Sequence, residues 1–279
     1  MFRTSNPALK AFDTDNLGVA RYEELSDGGA MAADSTAPAK TMTVAGTISA
    51  SAVLLGICSV VGVGMWSYFN SQAGTEGLGG NMFIWLIGSL IGTLALGLVI
   101  GFKPKTAPWL SPVFAAGEGV MLAALTIFIT SRWLGDGSGP AATGLIFQAV
   151  VVTFGIFAGV LAGYATGILK AGPVFQKIII AGTMGLMLYV LAIWIGNGIF
   201  GLGIPNLYAS ASPIGIGFTV VCVVLASMNL VLDFEMIKQG VKTGAPRYME
   251  WYGAFGLLVT LVWLYIEVLR LLAKLRSND

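Results

Sequence analysis

An all-α integral membrane protein, built as a bundle of seven membrane-crossing helices, is predicted by three features of the sequence. Of the 279 residues, 56% are hydrophobic and only 10% charged, where an ordinary soluble domain carries about a quarter charged residues. The apolar residues gather in repeated runs of roughly 20, the length that crosses a ~30 Å hydrocarbon core as helix. The runs are continuous, without the period-two alternation of a barrel strand. A mean hydropathy of +0.82 agrees with all three.

In chain order, residues 1–40 are polar and rich in Ala, Ser, Asp and Gly, and no apolar core follows the first arginine as a secretory signal would require. A largely disordered tail is expected there, followed by one membrane domain over 41–279. The apolar runs fall at about 43–69, 81–101, 110–133, 142–166, 174–201, 212–237 and 246–272. The last opens on Pro246, suited to the first turn of a helix. Glycine is abundant, 38 residues in all, inside the runs as well as between them; small residues let membrane helices approach closely, so a compact bundle is the reading. Trp66, Trp109, Trp133, Trp251 and Tyr252 stand at run ends, as interfacial anchors do.

Basic residues set the expected orientation. Lys103 and Lys105 follow the second run, Lys170 and Lys177 the fourth, and Lys238, Lys242 and Arg247 the sixth. The alternate turns hold Arg132 alone, which predicts a cytoplasmic N-terminus in the cell (inner or plasma) membrane. Arg270, Lys274 and Arg276 conflict with this, because seven full crossings put them outside. A seventh segment that enters without crossing would remove the conflict; seven spans are expected here.

Composition excludes several chemistries. With no histidine, His-ligated metals, His-based triads and histidine pH switches are absent. Cys58 and Cys222 lie in apolar runs and read as small buried hydrophobes. No GxxxxGK[ST], HExxH or CxxC motif occurs, and the glycine-rich GNGIFGLGIPN lies in an expected external turn. Neither an enzyme nor a cofactor is indicated; the net charge of +1 argues neither for nor against a nucleic-acid partner, and none is expected.

The carboxylates are the candidates, because a charge toward the bilayer interior costs several kcal/mol unless paired or wetted. Asp233 precedes Lys238 by five residues, roughly 7 Å inside the expected cytoplasmic boundary. Folding the hairpin about Thr243 places it level with residue 253, near Glu250 and Glu235. Carboxylates that close would share a proton or bind a cation; alternatively, Glu235 and Glu250 are wet interfacial groups paired with Lys238 or Arg247. Glu118 lies deeper, between Gly117 and Gly119, where a neighbouring backbone or a water can approach. It is either an ion site or a protonated glutamate bonded to the next helix. Glu267 precedes Arg270 by three residues, the spacing of a helical ion pair.

Four stretches together resemble the Bax-inhibitor family, also called transmembrane Bax inhibitor motif proteins, in its bacterial YccA-like branch. They are FAAGEG around Glu118, FQAVVVTFGIFAGVLAGYATG, LVLDFEMIKQG and GAPRYMEWYGAFGLLVTLVWLYIEVLRLL, covering roughly 110–272, with SNPAL near the N-terminus. The resemblance implies a seven-helix bundle with the last helix central and a pH-sensitive calcium leak. It also implies a pair of aspartates, on helices six and seven, that holds the pore shut. Asp233 matches the first. The second position, ten residues before Arg270, is Thr260 in this sequence, so Glu250 or Glu118 is the alternative partner of Asp233, or the gating differs. The implied function is a cation channel carrying Ca2+ as transported ion. The alternative is a non-transporting regulator that binds a membrane protease or another membrane complex, recognisable by dependence on the N-terminal tail.

Overall fold

The computed structural model describes residues 41–72, 80–134 and 140–277; the polar N-terminal segment and its SNPAL motif lie outside them. Seven helices follow one another: α1 Val44–Gln72, α2 Gly80–Phe102, α3 Ala107–Leu134, α4 Pro140–Ala165, α5 Pro173–Gly198, α6 Pro213–Lys242 and α7 Met249–Arg276, with a 3-10 turn Pro104–Thr106 before α3. All seven are long and apolar enough to cross a membrane. The chain is a multi-pass helical membrane protein.

Helix starts follow from local chemistry. Proline opens α5 and α6, where its missing N–H is an orphan in any helix, and the Ser212 hydroxyl caps α6 by accepting from Gly215 N at 3.2 Å. α6 runs to Lys242 rather than stopping at 237, because Lys238 and Gln239 are good helix formers once the chain leaves the hydrocarbon. Gly244, at φ +65°, then turns the chain into α7. In GNGIFGLGIPN, Gly201 and Gly203 hold φ of +61° and +66°, and Asn197 clamps the loop through Ile204 N at 2.6 Å and Ile204 O at 2.8 Å. Those glycines serve turn geometry.

α7 packs on α1, α3, α4 and α6, and α3 packs on α1, α2 and α7. The most apolar stretch of α3 is 61% buried and that of α7 50%, against 6% for the peripheral α5. The last helix is therefore central, but it shares the centre with α3. At 28 residues, α7 is about 42 Å long and crosses fully. The outer faces carry exposed Trp194, Phe147 and Ile84, a composition stable only where hydrocarbon is the solvent. Glycine contributes to packing at particular sites: a Cβ on Gly119 would come within 2.6 Å of the Cys58 carbonyl of α1, and one on Gly117 within 2.7 Å of the Thr93 side chain of α2. Gly56, Gly88, Gly92 and Gly101 face open space.

Candidate functional site

Asp233 projects from α6 onto α7. A Cβ built on Gly256 of α7 would stand 3.6 Å from Asp233 Oδ1, and Thr260, one helical turn further along α7, has its hydroxyl near enough to act on the same carboxyl. The Thr260 hydroxyl donates to the Gly256 carbonyl at 3.2 Å. Asp233 Oδ2 is sealed from solvent and has no hydrogen-bond partner among the described residues. An unpaired buried carboxyl oxygen is costly to keep, and here it lies at membrane depth.

Glu118 on α3 is the second such group: it is 6% exposed, and its Oε2 likewise has no partner among the described residues. It lies close enough to Cys58 of α1 to act on it electrostatically. Counting from the helix ends that share the basic turns, Asp233 is nine residues from Lys242, Thr260 eleven from Met249 and Glu118 eleven from Ala107. At 1.5 Å per residue these are depths of about 14, 16 and 16 Å. The three positions occupy one level of the bundle, on α6, α7 and α3.

The hairpin register differs from a fold about Thr243. Gly253 of α7 lies against Ile237, and Gly256 against Asp233, so Asp233 is level with residues 256–260 rather than 253. The reason is that α6 continues to Lys242 and the turn takes up Thr243–Tyr248 before α7 begins. Glu250 consequently sits nearer the membrane surface than Asp233 and is engaged with α1. Its Oε1 accepts from Thr43 N at 2.9 Å and Thr43 Oγ1 at 2.8 Å, and Arg247 stands 3.7 Å from Oε2. The Thr43 hydroxyl in turn accepts from Gly46 N at 2.9 Å, so Glu250 completes the N-terminal cap of α1, where a negative charge is favoured. Met42 N donates to Ala245 O at 2.7 Å, and Thr41 bridges Pro246. The buried Met42 side chain packs against Gly240 and Gly253, about one to two helical turns on the surface side of Asp233. Residues 41–43 thus strap the α6–α7 turn.

Gly46 reports on this strap. A Cβ there would overlap the Glu250 carboxylate. Replacing an unconstrained helix glycine by alanine gains up to ~1 kcal/mol; Gly46→Ala is instead expected to lose about 1 kcal/mol, read as a lowered unfolding midpoint in detergent. A gain would show that Glu250 is not held there.

Glu235 is engaged elsewhere again: its Oε2 accepts from Tyr164 OH of α4 at 2.6 Å, and its Oε1 from Gln239 Nε2 at 3.0 Å. Lys238 lies over the Tyr164 ring at 5.5 Å. The structure therefore brings Asp233 to Thr260 and sends Glu235 and Glu250 to α4 and α1.

At the opposite end, Glu267 and Arg270 form an ion pair at 2.8 Å, and Trp263 Nε1 donates to Glu267 at 3.3 Å. The guanidinium lies over the Tyr208 ring at 4.4 Å, and burial pushes the Tyr208 phenol well above its usual range, keeping it neutral. Lys274 is fully buried. Its ammonium donates to Leu207 O at 2.8 Å, Thr219 Oγ1 at 2.9 Å and Gly215 O at 3.0 Å. Sequence reasoning took Lys274 only as a topology signal. Its placement just beyond the last apolar run, four residues after Arg270 and seven after Glu267 on one helix face, was the available clue.

These features define a class: a multi-pass helical membrane protein with, among its described residues, two unpaired carboxyl oxygens at one level of its core. Residues 13–277 match the model of the family described as Bax inhibitor 1 like, and the chain belongs to that family. Among curated proteins, none matches it.

Proposed function

We propose that the protein is a pH-sensitive cation leak of the Bax-inhibitor type, carrying calcium, with Asp233 as its gating carboxyl. One observation carries the reading: Asp233 Oδ2 is sealed at membrane depth without a partner among the described residues, between α6 and a Gly256–Thr260 face of α7. A charged carboxylate there attracts a hard cation; a protonated one changes what α6 can hold against α7. Thr260 stands where the resemblance places a second aspartate, so this gate works with one acid and one hydroxyl. Glu118, at the same depth on α3, supplies the second negative group along the path.

The orientation that supports this reading puts Lys103, Lys105, Lys170, Lys177, Lys238, Lys242 and Arg247 in the cytoplasm. Two of the three charges in the opposing C-terminal cluster are spent on internal bonds, since Arg270 pairs with Glu267 and Lys274 holds carbonyls, while Arg276 makes an exposed bond to Ala141 O at 3.3 Å. Charges fixed inside the bundle do not compete with a cytoplasmic excess.

The test is calcium flux into liposomes carrying the purified full-length protein, at pH about 6 and about 8. A protein-dependent flux that differs between the two supports the leak. Flux no greater than in empty liposomes at either pH refutes it. A second reading, a regulator that binds a membrane protease or other membrane complex, draws on the strap: residues 41–43, the continuation of the polar N-terminal segment, are bonded to the α6–α7 turn. Deleting residues 1–40 would then abolish partner binding, whereas Asp233→Asn would not.

A further inference from the structure

At the end of the bundle that carries the basic turns, Lys103 and Lys105 follow α2, and Lys170 and Lys177 flank the start of α5. All four are exposed, and none of their side chains takes part in an ion pair, hydrogen bond or ring contact among the described residues. The other cations of this end do find partners. Arg247 stands 3.7 Å from Glu250, Lys238 lies over the Tyr164 ring at 5.5 Å, and Lys238 and Lys242 act electrostatically on Glu235. The two carboxylates near this surface are thus already engaged, Glu235 also by Tyr164 and Gln239 and Glu250 also by Thr43. So are the neutral polar side chains next to the four lysines: Thr106 donates to Lys103 O at 2.8 Å, Thr166 to Ala162 O at 2.8 Å, and Gln176 Nε2 to Ala171 O at 3.0 Å. Among the described residues, nothing anionic answers the two lysine pairs.

The side chains beside each pair say what kind of anion fits. Phe102 and Trp109, each 83% exposed, and Ile168, 80% exposed, are the most exposed large apolar side chains among the described residues. Each stands within four residues of one of these lysines. α2 and α5 are also the two least buried spans, at 11% and 6%, so hydrocarbon surrounds most of each helix. At 23 residues, α2 is about 34 Å long against a ~30 Å hydrocarbon core. Phe102 at its end therefore borders the acyl layer, and Lys103 and Lys105 stand at headgroup level. Lys177, four residues beyond Pro173, is about 6 Å inside the start of α5; a lysine there lays its stem along the helix and its ammonium outward. A dissolved anion or an acidic protein segment would answer the ammonium groups and leave Phe102, Trp109 and Ile168 unmatched. An anion carried on acyl chains answers both.

We propose that these two lysine pairs are headgroup sites for anionic phospholipid. Lys103 and Lys105 hold one lipid phosphate beside Phe102 and Trp109, and Lys170 and Lys177 hold another beside Ile168. The sites are independent of the Asp233 carboxyl and stand whether or not the protein conducts.

The experiment places the full-length protein in phosphatidylcholine vesicles doped with a trace of either phosphatidylglycerol or phosphatidylcholine, each bearing the same diazirine near the glycerol end of one acyl chain. Adducts are mapped by peptide sequencing and expressed, segment by segment, as the ratio of the two probes. Residues 199–205 at the other end, exposed at Ile199, Phe200 and Leu202 and without a charge, are the reference and are expected to give a ratio near one. At 102–109 and 168–178 the wild type is expected to favour phosphatidylglycerol by at least about fivefold, the effect of one engaged lysine. Raising the salt to about 1 M, where the Debye length is ~3 Å, is expected to remove most of that preference. Lys103→Gln with Lys105→Gln is expected to bring the ratio at 102–109 toward one and leave 168–178 unchanged. Lys170→Gln with Lys177→Gln is expected to do the reverse, so each variant carries the other's folding control. Acetylating the lysines of the wild type after reconstitution is expected to lower both ratios with insertion already fixed. Wild-type ratios near one at both segments overturn the proposal, as do ratios that neither the substitutions nor acetylation changes. A preference abolished by millimolar glycerol phosphate in the aqueous phase overturns the lipid as occupant and assigns the lysines to a soluble phosphate.

Discussion

Asp233→Asn, reconstituted as the full-length protein, is expected to abolish the pH dependence of calcium flux and to fix it, at both pH about 6 and about 8, at the level the wild type shows at the lower pH. The reasoning is isosteric. Asparagine keeps the shape that fits against Gly256 and Thr260 and is neutral at every pH, as aspartic acid is once protonated. A charged side chain at the centre of a membrane helix costs ~2.5–3.5 kcal/mol on insertion scales, and ~1.4 kcal/mol is a tenfold change in an equilibrium. Losing the charge can therefore move a closed–open balance by more than a factor of ten. Glu235→Gln is the control, since Glu235 bonds Tyr164 and Gln239 away from α7; it is expected to leave the pH response in place. A variant of Asp233 that still responds to pH like the wild type would move the sensor to another group, with Glu118 next in line.

The architecture was legible because the solvent is hydrocarbon: continuous apolar runs long enough to span it leave little else to form, and the seven runs became α1–α7 with ends displaced by a few residues. Asp233 was legible for the same reason, as a charge inside an apolar run. Its neighbour was not. Pairing across the hairpin depends on where α6 ends and on how many residues the turn uses, and five residues of extra helix, to Lys242, moved the match from 253 to 256–260. Glu250 looked like a partner by depth, yet helix rotation aims it at Thr43 of α1, and a linear sequence carries no signal for which neighbour a helix face meets. The glycines beside Glu118 told more: they sit where α1 and α2 close on α3.

The far end of the molecule gives the largest stability effect. Lys274 ties together the α5–α6 loop at Leu207, the first turns of α6 at Gly215 and Thr219, and α7 itself. Lys274→Met keeps the apolar stem but removes the ammonium and its three bonds. Gly215 O retains the Thr219 hydroxyl at 2.9 Å, whereas Leu207 O loses its donor. Hydrogen bonds to a charged group are worth ~1.5–3 kcal/mol each, offset in part by relief of the ammonium's burial, so a net loss of about 3 kcal/mol is expected. Unfolding in detergent measures it, and faster proteolysis within residues 199–212 identifies the loop as the part released. Arg276→Ala, which removes an exposed bond at 3.3 Å, is expected to change stability by less than ~0.5 kcal/mol. Equal effects of the two substitutions would mean that charge at the helix end, and not the cage around Lys274, holds the loop. A large loss for Lys274 alone would show that α6 and α7, which face each other through Asp233 at one end, are pinned together at the other, so that motion at the carboxyl level turns about a fixed outer end.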